Sequence, residues 1–168
     1  TTLLDTMLMG HPDTVVLEEE PTLLEAAKAL QPFEDVPAAS DATIRAARDE
    51  YFRVASSRAK IEPGKLLIDK NPLSMNFLPI IKRLFPDARI ILALRHPCDV
   101  VLSCFAANFK VNDGMSNFHR LDTASELYGL SFTYFEKARE LLDLPVHQIL
   151  YEDVVADREQ ELRKLLDF

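Results

Sequence analysis

Apolar residues recur at helical spacing in Leu3, Leu4, Met7 and Leu8, and Gly10-His11-Pro12-Asp13 then supplies a glycine and a proline in the order that stops a helix. Thr14 to Leu17 is a short apolar run that predicts a buried strand. A second helix is predicted from about Thr22 to Leu30, then a loop containing Pro32 and Pro37. A long helix follows from an N-cap at Ser40 or Asp41 to about Arg58. Leu66 to Ile68, after Pro63-Gly64, reads as another buried strand, broken by Asn71-Pro72. Helical spacing from Asn76 to Phe85 requires Pro79 to lie in the first turn or to kink the helix. Arg89 to Leu94 is the clearest strand, apolar without alternation, as a strand covered on both faces would be. A helix after Pro97, a polar stretch from Lys110 to Asp122, a helix from about Ser125 to Leu142, a strand from His147 to Leu150 and a helix from Arg158 to Leu166 complete the pattern.

Strands alternating with helices predict an α/β fold with a largely parallel sheet. Ligands of such sheets bind at the carboxyl ends of the strands. Polar or charged groups follow all four apolar runs: Glu18-Glu19-Glu20, Asp69-Lys70-Asn71-Pro72, Arg95-His96-Pro97 and Tyr151-Glu152-Asp153. This pattern points to an anion or nucleotide site without fixing a chemistry.

Composition narrows the classes. With 168 residues, 48% of them hydrophobic and 27% charged, the chain has the make-up of one globular domain with a core. No repeat or linker divides it. A net charge of −8 argues against a broad nucleic-acid surface, while leaving room for a local basic cluster around one small anion. Cys98 and Cys104 fall in one apolar helical stretch, where buried thiols are the commoner reading. No apolar run approaches the roughly 20 residues that cross a bilayer, so no membrane segment is expected and the expected location is cytoplasmic. No set of His, Cys and carboxylates has metal-ligand spacing, so no metal is expected.

Three segments carry a resemblance. TTLLDTMLMGHPD, LLIDKNPLSMNFLPIIKRLFPDARIILALRHPCDVVLSCFAANF and LYEDVVADREQELRKLLDF resemble, in this order, the bacterial sulfotransferases often joined to tetratricopeptide repeats, and more distantly the tyrosylprotein sulfotransferases. The resemblance implies a P-loop NTPase-like three-layer α/β fold, its mainly parallel sheet flanked by helices. It implies one domain over residues 1–168, with the opening phosphate loop expected upstream of Thr1 and the closing nucleotide loop downstream of Phe168. It implies a sulfotransferase that moves the sulfuryl group of PAPS (3′-phosphoadenosine 5′-phosphosulfate), a co-substrate, to a hydroxyl-bearing acceptor in line and without a metal. Whether the acceptor is a peptide, glycan, lipid or small molecule is not legible.

Site residues follow from the same resemblance, each beside a plainer alternative. Thr1 and Thr2 would hold the 5′-phosphosulfate end at the amino end of the first helix, where free N–H groups and the helix dipole favour anions; the alternative is a helix-initiating pair. Arg95 and Ser103, about two helical turns apart, would bind the 3′-phosphate; the alternative is a surface Arg and a helical Ser. Lys70 would stabilise charge on the transferring group and the bridging oxygen; the alternative is a salt bridge with Asp69. Aligning on Pro21 puts the catalytic base on Glu19, beside the reading of the triplet as a solvated charge run. Tyr151 would contact the nucleotide or lie in the core. His11, in a Gly-His-Pro turn, suits a turn-closing role rather than a base. Two rivals remain open: a kinase of the same fold, and a non-catalytic module that has lost donor binding.

Overall fold

The computed structural model describes residues 2–107, 109 and 114–168, which divide into two compact units, Thr1–Ala88 and Arg89–Phe168. In the first unit the order is α1 (Thr2–Met9), β1 (Thr14–Glu18), α2 (Thr22–Lys28), a 3-10 turn (Phe33–Ala38), α3 (Asp41–Arg58), β2 (Leu66–Lys70), a 3-10 turn (Pro72–Phe77) and α4 (Leu78–Leu84). The second contains β3 (Ile90–Leu94), α5 (Pro97–Ala106), a 3-10 turn (Met115–His119), α6 (Leu121–Leu142), β4 (Val146–Leu150), α7 (Tyr151–Ala156) and α8 (Arg158–Asp167).

The α/β alternation and the parallel pairing are both present. β1 pairs parallel to β2, Thr14 opposite Leu66 through Glu18 opposite Lys70, and β3 pairs parallel to β4, Ile90 opposite Val146 through Leu94 opposite Leu150. Each pair is its own two-stranded sheet, and each crossover carries helices, as parallel neighbours require. The expectation of fully covered strands is corrected: with so few strands and helices around each sheet, β3 buries only Leu92 and is otherwise half-buried, and β1 buries only Leu17.

Local signals explain the boundaries. Ser40 is the N-cap of α3, its hydroxyl accepting from the Thr43 N–H at 3.2 Å. Pro79 stands in the first turn of α4, where its missing N–H costs no helical bond. Asp157 caps α8 by accepting from the Gln160 N–H at 3.1 Å. In the first unit Leu17, Leu23, Ala26, Leu30, Ile44, Ala47, Tyr51 and Leu84 form the core beneath β1 and β2. In the second, Leu92, Ile149, Phe135 and Ala138 are buried. The polar stretch expected from Lys110 to Asp122 is a 3-10 turn over 115–119 with α6 beginning at Leu121, while residues 110–113 lie outside the described residues.

The cysteine expectation is corrected as well. Among the described residues α5 buries none of its side chains, so Cys98 is exposed and Cys104 half-buried; both are free thiols, and partial burial pushes the Cys104 thiol up.

Candidate active site

Parallel pairing in register sets Glu18 directly across from Lys70 at the carboxyl ends of β1 and β2. The ladder extends one residue further, since the Glu19 N–H donates to the Lys70 carbonyl at 2.7 Å. Glu19 then turns the chain with φ of 56°, the left-handed region that a side chain with a Cβ enters only at a cost. That turn brings Glu19 back over the strand end. Lys70 Nζ lies 2.9 Å from Glu19 Oε1, 3.2 Å from Glu18 Oε1 and 3.2 Å from Asp5 Oδ2. The alternative of a Lys70–Asp69 bridge is therefore excluded.

One ammonium faces three carboxylates there, with different surroundings. Lys70 and Asp5 are buried at 9% and 4% exposure, whereas the Glu19 side chain is 60% exposed. Burial alone would lower the Lys70 pKa, but the hydrogen bonds it donates to Glu19 and Glu18, with the charge of Asp5, outweigh it, so the ammonium titrates above its ordinary range and stays charged. Burial raises the Asp5 carboxyl against the opposing pull of Lys70. Glu20, third in the acidic run, is drawn elsewhere and pairs with Arg58 at 3.1 Å. The run therefore divides by partner, and is not uniformly a solvated edge.

Strand alternation sends Asp69 away from this cluster. Asp69 Oδ2 accepts from the Tyr51 hydroxyl at 2.9 Å and from the Thr22 hydroxyl, tying β2 to α3 and to the start of α2. Among the described residues its Oδ1 is buried with no hydrogen-bond partner, and burial raises the Asp69 pKa. Tyr51 is pushed up too, by burial first and by the adjacent carboxylate second. Neither this triad nor Asp5 was anticipated from sequence. The available signal for Asp5 was a lone acid in the apolar helix TLLDTMLM.

In the second unit Arg95 follows β3 and Tyr151 follows β4, so the parallel pairing brings them together: the guanidinium lies over the Tyr151 ring, 5.3 Å from its centroid. Arg95 Nη2 pairs with Asp99 Oδ2 at 3.2 Å, rather than with Ser103, which lies exposed on α5. Tyr151 is corrected from a strand end to the first residue of α7; it is exposed, which removes the core alternative. The Glu152 carboxylate accepts from the His96 N–H at 3.0 Å, which fixes the loop after Arg95 and lowers the Glu152 pKa.

The remaining candidates are simply placed. Thr2 is exposed at the start of α1 and its carbonyl accepts from the Thr6 hydroxyl at 2.9 Å; Thr1 lies outside the described residues. His11 Nδ1 accepts from the Asp13 N–H at 3.2 Å, the turn-closing role. Among the described residues no helix is long and apolar enough to cross a membrane, and no group of three His, Cys, Asp or Glu is placed to hold a metal ion.

The first unit thus sets an ammonium among carboxylates at its strand edge, and the second, taken by itself, sets a guanidinium over an aromatic ring. The sulfotransferase family model matches residues 1–168, the whole chain, and the chain belongs to that family. It is also similar to an uncharacterized protein of Aquifex aeolicus (strain VF5), 24% identical over 103 residues, which are 61% of this chain and 14% of that protein. The chain thus matches a small part of that relative's length.

Proposed function

We propose that the chain is the donor-binding and catalytic part of a PAPS-dependent sulfotransferase with a P-loop-like three-layer fold, folding as one domain. In this reading the acceptor oxygen attacks the sulfur in line, and the bond from sulfur to the bridging oxygen breaks. The acceptor's proton passes to the Glu19 carboxylate, and the leaving PAP (3′-phosphoadenosine 5′-phosphate) keeps the electron pair of the broken bond. Lys70 stabilises the charge that gathers on the sulfuryl and bridging oxygens. Sulfuryl transfer gathers less charge than phosphoryl transfer, so cationic side chains and helix amino ends can stabilise it.

The observation that carries this reading is the 2.9 Å contact between Lys70 and Glu19 at the end of two parallel strands, since it joins the electrophilic group to the base. The other side chains fit the donor. Arg95 offers a planar, permanently charged fork already oriented over Tyr151, a suitable hold for the 3′-phosphate and a neighbouring ring for the nucleotide. Ser103 adds a neutral donor, and Thr2 opens α1, with Thr1 preceding it in the sequence. The surplus of acid around Lys70 is unsuited to holding two phosphates and suited to taking up a proton. In this reading the 3′-phosphate is assigned to Arg95 and Ser103, the phosphosulfate end to Thr1 and Thr2, and the acceptor hydroxyl to Glu19.

The test is conversion of sulfur-labelled PAPS to PAP by the full-length protein with a panel of hydroxyl acceptors. Label should move to an acceptor in the wild type and not in Lys70→Ala. Equal transfer by both would overturn the roles, and phosphate transfer from ATP would replace the reading with a kinase.

A further inference from the structure

Resting on that reading, the geometry points to a further functional residue: we propose that Asp5 is the positioning residue for Lys70, the fixed anchor that keeps the ammonium aimed while its exposed partner Glu19 changes state. Lys70 has three acidic neighbours on two elements, Asp5 from α1 and Glu18 and Glu19 from the end of β1. They are not equivalent. The Glu18 and Glu19 side chains are 45% and 60% exposed and hang on two-carbon stems, so water and bound substrate compete for them. Asp5 is buried on a short stem in the middle of α1, and its position is set by Leu4 and Leu8, which bury the same helix on either side of it.

The reaction itself separates the three. When Glu19 accepts the acceptor's proton it becomes neutral and loses its claim on Lys70 at the moment the bridging bond breaks. The ammonium must then move onto sulfuryl oxygen without leaving the strand edge. Asp5 takes no proton from the acceptor and supplies a constant attraction from below. Glu18, in solvent, offers a weaker hold at the same 3.2 Å. A displacement of about 1 Å at a reacting group is enough to lower turnover about 100-fold, so the anchor matters although it touches no substrate.

The experiment compares Asp5→Asn, Glu18→Gln and Lys70→Ala in the full-length protein. Two signals are read: the pH titration of the Lys70 side-chain resonances by NMR, which needs no acceptor, and kcat with its pH profile. Asp5→Asn should move the Lys70 midpoint to lower pH, because a buried carboxylate that favours the charged ammonium is lost, and further than Glu18→Gln, whose side chain is half exposed. It should lower kcat about 10- to 100-fold, shift the alkaline limb of the profile downward with the NMR midpoint, and leave PAP affinity in place. A merely structural Asp5 would change thermal stability and the Lys70 midpoint while leaving kcat on the plateau of its pH profile in place.

If Lys70→Ala keeps wild-type turnover, the catalytic reading of Lys70 is wrong. If Lys70→Ala is inactive while Asp5→Asn keeps wild-type plateau kcat, the anchor proposal alone is overturned. Should Asp5→Asn not fold, the pair Asp5→Asn with Lys70→Met decides. Folding restored when both buried charges are removed supports the pairing, and a chain still unfolded contradicts it.

Discussion

Glu19 offers a way to separate a functional constraint from a structural one, because its backbone and its side chain make opposite demands. With φ of 56° it occupies a region that costs an L-residue with a Cβ roughly 1–2 kcal/mol, which glycine avoids. Glycine recovers that cost but gives back about 0.5–1 kcal/mol in unfolded-state entropy. The lost ion pair with Lys70 is that of a largely exposed partner and contributes about 0–1 kcal/mol. Glu19→Gly should therefore be close to wild type in stability. Glu19→Ala loses the same ion pair and keeps the backbone penalty, so it should be less stable than Glu19→Gly by about 1 kcal/mol. In a chain of this size that corresponds to about 2–4 °C in Tm. Glu19→Gln keeps both size and backbone demand. All three variants lack the base, and turnover should fall by about 10²- to 10⁴-fold with PAP affinity nearly unchanged. Thermal unfolding followed by circular dichroism, alongside turnover of PAPS, gives both numbers. A Glu19→Ala variant as stable as Glu19→Gly would refute the left-handed turn. Near-wild-type turnover in all three would refute the base, and sensitivity at Glu18 or Glu20 instead would show the assignment to be displaced along the run.

Lys70→Ala should lower kcat far more than donor affinity, since its charge interaction strengthens as the bridging bond breaks; a loss confined to KM, seen in initial-rate kinetics, would make Lys70 a ground-state binder. Arg95→Ala should weaken PAP binding by about 1.5–3 kcal/mol and Ser103→Ala by less, read by calorimetry, and unchanged affinity in both would remove them from the donor site. Asp69 has a folded-state pKa raised above its ordinary 3.8, so its protonated form favours folding. The stability it contributes is fully present below 3.8 and is lost as pH rises through the raised folded value. Urea unfolding of the wild type against Asp69→Asn should show the wild type losing ground as pH rises from the acid side through that window, and a gap that widens in the wild type's favour would contradict it.

Much of this arrangement was legible because strand ends are local features. The apolar runs ending in Glu18 and in Asp69-Lys70 located the edge, and parallel pairing then made their meeting a matter of register. The same holds for Arg95 and Tyr151 after β3 and β4. What escaped depends on contacts across elements. Asp5 meets Lys70 because α1 packs beside β1, and a single acid among leucines does not announce its partner. Tyr51 and Thr22 meet at Asp69 from sequence separations of 18 and 47 residues, with no periodic pattern to join them. Glu19's left-handed turn was likewise illegible, since the run Glu18-Glu19-Glu20-Pro21 contains no glycine to signal it. α7 was missed because Tyr151-Glu152-Asp153 reads equally well as a loop after a strand, and its first turn is held by the interaction of Glu152 with the His96 N–H.

Use of a 3′-phosphorylated sulfate donor by this chain's full-length protein is decided by calorimetric titration with PAP and with ATP, in the wild type and in Arg95→Ala. Saturable PAP binding that Arg95→Ala weakens is expected, with no comparable binding of ATP, which lacks the 3′-phosphate. Equal binding of ATP and PAP, or no heat with either, would contradict it.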